Sequence, residues 1–256
     1  MDTMKNVVLR AVDLHKSYAG KLALKGVSID LREGEFVALL GPNGAGKSTL
    51  MQILTGLFSA DAGEVTVLGY DLRKNAANAL AEIGVVLQQP SLDIALSVNA
   101  NLMFHARLHG LDRADAQQRI HDGLVDIGLQ DAAQSVVRSL SGGNRRKVEL
   151  LRAMLHRPSL LLMDEASVGL DIVSRQQLLL TVQRLQQRDG VTVLWTTHLA
   201  EEIPFANRVI ILRDGLKRFD DSLRMLYAHT AQTEPEAAFL HILDSATPCI
   251  SKTDFQ

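Results

Sequence analysis

The chain has 256 residues, room for one large domain or two small ones, and 46% of them are apolar, enough for a real core. A net charge of −2 without a strongly basic block gives no electrostatic footprint for nucleic acid. Cys249 is the only cysteine, which excludes an internal disulfide framework and fits a reducing compartment.

The first residues, MDTMKNVVLRAVDL, carry charges where a signal peptide needs an apolar run. No apolar stretch approaches the roughly 20 residues that span a bilayer. The expectation is a protein soluble by itself, reaching a membrane only through a partner. Residues 7–14 and 22–31 alternate as strands do, and Tyr18-Ala19-Gly20-Lys21 turns between them. The Tyr18 ring can stack on a nucleotide base or simply end a strand.

Residues 35–40 (EFVALL) are short, apolar and flanked by glycines, the pattern of a buried parallel strand. Gly41, Pro42, Asn43, Gly44, Ala45, Gly46, Lys47, Ser48 and Thr49 follow as GPNGAGKST. Leu50, Ile53, Leu54 and Leu57 then recur at helical spacing. Glycines between a strand and a helix are the context of a phosphate-binding loop. Without Cβ atoms the backbone reaches positive φ and approaches an anion closely. Successive N–H groups form an anion nest, and the helix start adds its positive end. Lys47 supplies a full charge for phosphates, and the Ser48 hydroxyl can ligate Mg²⁺.

Residues 64–68 read as a short strand, and Asp71 can cap a helix running to about Leu80. Residues 83–87 form another buried strand ending in Gln88, whose carbonyl oxygen can reach a metal or a water. From about 97 to 157 the pattern turns helical. Ser97 caps a helix with Val98, Leu102, Ala106 and Leu108 inward; Asp112 caps the next, with Ile120, Leu124 and Ile127 inward, and Gly128 ends it. His105 and His109 lie one turn apart and could hold a metal. No cysteine or carboxylate has matching spacing, so they are read as surface histidines.

Ser141, Gly142 and Gly143 open a further helix with Val148, Leu151 and Leu155 as its buried stripe, a second open N-terminus for an anion. Residues 160–163 form an apolar strand ending in Asp164-Glu165, at the strand end where open α/β sheets bind ligands. Asp164 can hold Mg²⁺, and Glu165 can polarise an attacking water. A helix over 172–188 stops at Gly190, a strand covers 191–196, and His198 stands just past it. Residues 208–212 and 216–219 make a hairpin through Asp214-Gly215. The tail from Ser222 reads as one or two amphipathic helices, the second starting at Pro235, with Ala238, Phe239 and Ile242 inward; no periodic pattern remains after about Ala246.

The order of these segments resembles the ATP-binding subunit of ABC transporters over nearly the whole chain. GPNGAGKST resembles the Walker A motif, LSGGN the LSGGQ signature, LLLMDE Walker B, VGLD the D-loop and TTHLAEE the switch-histidine region. Gln88 matches the Q-loop glutamine and Tyr18 the A-loop aromatic. The resemblance implies an α/β fold, a P-loop NTPase (RecA-like) core with an N-terminal antiparallel β subdomain and an inserted helical subdomain at about 89–157. An ATPase domain over 1–222 would be followed by a helical extension over 223–256. It implies ATP and Mg²⁺ as cofactors, bound by Tyr18, by Gly41 to Thr49, and by Ser48, Gln88 and Asp164 for the metal. Glu165, His198 and Gln88 would be catalytic. Two subunits would pair head to tail, as a homodimer or with a related ATPase subunit. Ser141, Gly142 and Gly143 would then bind the γ phosphate of the partner's nucleotide.

The segment SLDIALSVNANLMFHARLHGL resembles the Q-loop and first helix of ABC-2-type exporters, and EPEAAFLHIL their C-terminal helix. The run from LSGGN to VGLD is also similar to subunits associated with PQQ-dependent alcohol oxidation systems. These likenesses imply a motor subunit, cytoplasmic and peripheral on the inner membrane face through a permease. The alternative is a non-transport ABC ATPase acting in translation, DNA repair or envelope assembly. Translation-type members carry two ATPase modules and the repair type a long coiled coil; this chain has one module and no coiled coil. Asn144 replaces the usual signature glutamine, Ala166 the proline that often follows the Walker B glutamate, and Ser167 the threonine; no catalytic group is lost.

Overall fold

The computed structural model describes residues 6–244 and 250–251. Strands β1 (Val7–Tyr18) and β2 (Lys21–Arg32) form an antiparallel hairpin. Its two turn residues, Ala19 (φ 48) and Gly20 (φ 81), are both left-handed, which suits the twist of a tight hairpin. Next come β3 (Phe36–Leu40), helix α1 (Lys47–Leu54), β4 (Ala62–Val67) and β5 (Tyr70–Asp71). Strands β4 and β5 complete a four-stranded antiparallel sheet of order β2-β1-β4-β5.

Helix α2 (Ala76–Ala81) leads to β6 (Ile83–Val86). Three helices follow: α3 (Val98–Leu108), α4 (Arg113–Asp126) and α5 (Gly142–Met154). The chain then alternates through β7 (Leu160–Asp164), α6 (Ile172–Asp189), β8 (Thr192–Thr197), β9 (Arg208–Arg213) and β10 (Leu216–Ser222). It ends with α7 (Leu223–Thr230), α8 (Pro235–Asp244) and β11 (Ile250–Ser251). The second sheet has the order β11-β10-β9-β3-β8-β7-β6. Strands β9, β3, β8, β7 and β6 run parallel, and β10 returns antiparallel to β9.

All five residues of β3 and of β7 are buried, because the parallel sheet is covered on both faces. Alternation splits its side chains between two cores. Val37, Leu39, Leu160, Leu162, Leu194 and Ile210 pack with α1 and the antiparallel sheet. Phe36, Leu40, Leu161, Met163, Trp195 and Ile211 pack with residues of α5, α6, α7 and α8. A third core joins Leu102, Ile120, Leu124, Val137, Val148 and Leu155 inside the helical insertion. Arg208 ties the first two layers at the sheet: its guanidinium donates to Asp220 (2.7 Å), to the Asp30 carbonyl (2.9 Å) and to Glu35 (3.3 Å).

Most caps fall where the sequence puts them: Ser97, Asp112 and Ser141 each accept a hydrogen bond from a first-turn N–H, and Ser222 does the same at the start of α7. Three expectations need correction. Asp71 does not cap a helix; its carboxylate is engaged in a turn by Arg73 N–H (2.8 Å), and α2 starts after Asn75. Leu57 lies beyond α1, which Gly56 (φ 71) stops, and it is exposed. Leu108, in the last turn of α3, also faces outward. Ala238, Phe239 and Ile242 are buried as expected. The tail after Ala246, Ile250 and Ser251 apart, lies outside the described residues, as does Cys249.

Candidate nucleotide site

The glycine loop sits between β3 and α1. Gly46 (φ 107) is the N-cap of α1 and gives no side-chain cap, so the first-turn N–H groups stay open for an anion. A Cβ at Gly46 would lie 2.7 Å from the Ala23 carbonyl, and one at Gly41 2.5 Å from that of Leu212. The loop is therefore wedged between β2 and β9, and only glycine permits it. At Gly44 (φ 82) a Cβ would meet nothing within 4 Å, so the mouth of the loop is open. Pro42, Asn43, Gly44 and Ser48 are exposed, Ala45 is buried and Thr49 half-buried. The turn between β9 and β10 closes the back, with Gly215 N–H donating to Ala45 (3.0 Å).

Lys47 is only 4% exposed and folds back into this loop. Its Nζ donates to the carbonyls of Gly41 (2.7 Å) and Pro42 (3.3 Å) and pairs with Glu165 Oε1 at 3.4 Å. Gln88 Nε2 donates to Glu165 Oε2 (3.2 Å), and His198 Nδ1 stands 3.6 Å from the same oxygen. Glu165 itself has φ 44, a left-handed conformation that costs a non-glycine residue of order 1 kcal/mol or more. Thr196 holds it there: Glu165 N–H donates to Thr196 Oγ1 (2.9 Å). The same hydroxyl donates to Asp164 Oδ1 (2.7 Å). Burial pushes the Asp164 carboxyl above the usual range and the Glu165 charge adds to this, while the Thr196 hydrogen bond and Lys47 oppose it.

Lys47, Gln88, Asp164, Glu165 and His198 thus converge at the ends of β3, β6, β7 and β8, although up to 151 positions separate them in sequence. Mg²⁺ fits this donor set. Asp164 is a buried carboxylate pushed toward neutrality, which a cation would relieve; Ser48 has its hydroxyl at the open helix start; Gln88 spends its amide N–H on Glu165 and keeps its carbonyl oxygen. Tyr18 is half-exposed at the hairpin tip, with Phe58 edge-on (6.4 Å) and Lys16 Nζ 5.7 Å from its ring. Asp61 fastens the tip, accepting from Lys16 Nζ and Ser17 N–H, each at 2.7 Å.

Ser141 and Gly142 are exposed at the start of α5. Among the described residues, no hydrogen bond or ion pair joins Ser141, Gly142 or Gly143 to the phosphate loop of their own chain. A Cβ at Gly143 would lie 2.7 Å from Ser174 Oγ, so this glycine is fixed by the start of α6.

Sequence reading missed Thr196, Arg146 and Glu149. Thr196 was visible as a hydroxyl at the end of an apolar strand. Arg146 and Glu149 were visible as an i,i+3 charged pair on the α5 face that also carries Leu150 and Ala153. The Arg146 guanidinium is buried and donates to the carbonyls of Leu87 (2.7 Å) and Gln88 (2.9 Å) and to Glu149 (2.7 Å). Glu149 in turn accepts from Ser91 N–H (2.6 Å). His105 and His109 are not surface histidines; they are half-buried against His156.

A profile of the ABC transporter family matches residues 24–168. The linearmycin resistance ATP-binding protein LnrL of Bacillus subtilis (strain 168) is 40% identical over 81% of this chain and 67% of its own length. The spermidine/putrescine import ATP-binding protein PotA of Photobacterium profundum is 32% identical over 88% of this chain; the chain spans 60% of that relative. The solved structure of an ATP-binding subunit of an ABC transporter matches with a TM-score of 0.83, at 26% identity, over 93% of this chain and 100% of its own. The ATP-binding cassette MJ0796, solved as a dimer in a post-hydrolysis state with ADP and Pi, matches with a TM-score of 0.75, at 28% identity, over 84% of this chain and 99% of its own. A glycine loop, a converging carboxylate pair and relatives that match across most of the chain agree: the protein belongs to the ABC transporter family, as an ATP-binding subunit that hydrolyses ATP.

Proposed function

We propose that this chain is the motor of an exporter, binding ATP at Gly41 to Thr49 and hydrolysing it at Glu165. The observation that carries the reading is the contact of Lys47 with Glu165 across the mouth of the glycine loop. Lys47, released from the Gly41 and Pro42 carbonyls and from Glu165, is the one full positive charge the loop offers to phosphate oxygens. Glu165 then accepts the proton of the attacking water, Gln88 and His198 orient that water and the γ phosphate, and Tyr18 stacks on the base. Mg²⁺, held by Ser48, Gln88 and Asp164, would supply counter-charge for the phosphates. The exposed start of α5, with Ser141, Gly142 and Gly143, suits the nucleotide of a second subunit in a head-to-tail pair, a homodimer or a pair with a related ATPase subunit.

Export, in the ABC-2-type manner, is favoured by the higher identity of LnrL, a resistance protein, than of PotA, an import protein. Among the described residues no helix is long and apolar enough to cross a membrane. In this reading a separate permease carries the substrate, and the ATPase sits against it on the cytoplasmic face. Within this reading, residues 1–222 are the ATPase domain and 223–256 its helical extension. The test is Lys47→Ala. Calorimetric ATP binding should vanish, and the variant should fail to restore efflux in cells lacking the chain. An unchanged dissociation constant refutes the phosphate cradle; restored efflux refutes the motor.

A further inference from the structure

Outside the nucleotide site, among the described residues, the structure gathers three imidazoles with one ring nitrogen of each within 4.8 Å of the others: His105, His109 and His156. We propose that they form a site for a first-row transition cation of the zinc class. The i,i+4 pair is formed by His105 in the last turn of α3 and by His109, its C-cap, a spacing suited to a shared metal. The third ring comes from the turn after α5.

His156 carries the argument furthest. Its Nε2 faces the Ile83 carbonyl at 3.2 Å. A carbonyl only accepts, so Nε2 bears the proton and Nδ1 the lone pair. That Nδ1 is buried and has no hydrogen-bond partner. A histidine that gives one N–H to a backbone carbonyl and holds its other nitrogen free is preset as a metal ligand. The ligand form also persists at neutral pH: burial lowers His105 and His156 to about 4, and His109 is lowered too. Proton competition at His105 and His156 is therefore weak above pH 5 or so.

Two features set the strength of the site. The His109 and His156 rings stack at 3.8 Å and 13°, so their in-plane lone pairs run side by side. Zn–N bonds of roughly 2.0–2.1 Å require His109 to turn about its side-chain torsions and bring the nitrogens together. Arg152 and Arg119 are the cations near these rings. They oppose a metal ion as they oppose protonation. Their guanidiniums are anchored elsewhere, Arg152 on Ser91 and Arg119 on Asp115 and the Leu155 carbonyl. The half-buried rings leave a fourth position for water. An occupied site ties α3 to the end of α5 and, through Ile83, to the edge strand β6.

The experiment is equilibrium dialysis of untagged, nucleotide-free protein against Zn²⁺ alone, with Mg²⁺ and Ca²⁺ as competitors. Unmutated protein should hold one Zn²⁺ that a large excess of either hard cation leaves in place. The His105→Gln/His109→Gln variant and, separately, His156→Gln should weaken that binding by at least about 10–100-fold, the loss seen even for outer-shell partners of metal ligands. The α3 double variant changes only half-buried side chains, so circular dichroism keeps the test open if His156→Gln misfolds. Zinc held with the same stoichiometry and affinity by the folded double variant overturns the site, as does displacement by equimolar Mg²⁺.

Discussion

Glu165→Gln separates binding from chemistry. The substitution keeps the side-chain shape and removes its charge and basicity. Proton transfer by a positioned base contributes about 10²–10⁴ in rate, so kcat should fall by that factor, roughly 2.7–5.5 kcal/mol on the barrier. ATP affinity should move the other way. Two unit charges at the 3.4 Å of the Lys47–Glu165 contact attract by about 5 kcal/mol at an effective dielectric of 20. Desolvation offsets most of this, and the Gly41 and Pro42 carbonyls go on holding Lys47. A surviving quarter, about 1.2 kcal/mol, corresponds to ATP binding five- to tenfold tighter once the competing carboxylate is gone. Phosphate release gives kcat, calorimetry gives the dissociation constant, and size exclusion with MgATP should show a persistent dimer where the unmutated protein pairs only transiently. A kcat within about threefold of the unmutated value leaves less than 1 kcal/mol for Glu165 and refutes its role as base. Weaker ATP binding refutes the competition between carboxylate and phosphate for Lys47.

Tyr18→Ala should raise KM with kcat unchanged, by the roughly 1–3 kcal/mol of a stacked base; a fall in kcat at constant KM denies Tyr18 that role. Asp61→Asn should weaken ATP binding a few-fold by loosening the hairpin tip, as titration of a fluorescent nucleotide would report. The Lys16 hydrogen bond, then those of Ser17, hold the Asp61 carboxyl at about 2, below its ordinary 3.8. A depressed acid stabilises the fold above its unfolded value, so the stability gap between unmutated protein and Asp61→Asn should be full above pH 4 or so and close as pH falls toward 2. A gap independent of pH contradicts this. Arg208→Ala leaves the buried Asp220 with Lys217 alone and strips Asp30 and Glu35 of a partner, so urea unfolding should show a loss of about 3–5 kcal/mol; a loss under about 1 kcal/mol contradicts the hub.

The nucleotide site was legible because its parts are local signals. A strand, a glycine run and a helix declare a phosphate loop in nine residues, and Asp164-Glu165 announces itself by two acids ending an apolar run. The same holds for the Ser97, Asp112 and Ser141 caps, whose hydrogen bonds reach only two or three residues ahead. What the sequence hides is long-range geometry. Nothing near Glu165 tells that Lys47, 118 positions earlier, pairs with it, or that Thr196 holds both acids. His156 carries no local mark either; its partners are on another helix. Asp71 misled because an aspartate before a helix can serve a turn as readily as a cap.

The Arg146–Glu149 pair has a mechanical consequence. One face of α5 grips residues 87–91 at several points: Arg146 at the carbonyls of Leu87 and Gln88, Glu149 at the Ser91 amide, Arg152 at the Ser91 carbonyl and hydroxyl. With that many braces over five residues, the segment cannot slide along the helix without breaking several charge-assisted bonds. The two therefore travel as one lever. A push on the stretch that follows, where Ile94 and Leu96 stand exposed, arrives at Ser141 on the far end of α5 with little slack, and a displacement of Ser141 returns along the same rod to Gln88 beside Glu165. A defect in this brace would free Gln88 from α5, so a shift of Ser141 would no longer reach the glutamine beside Glu165.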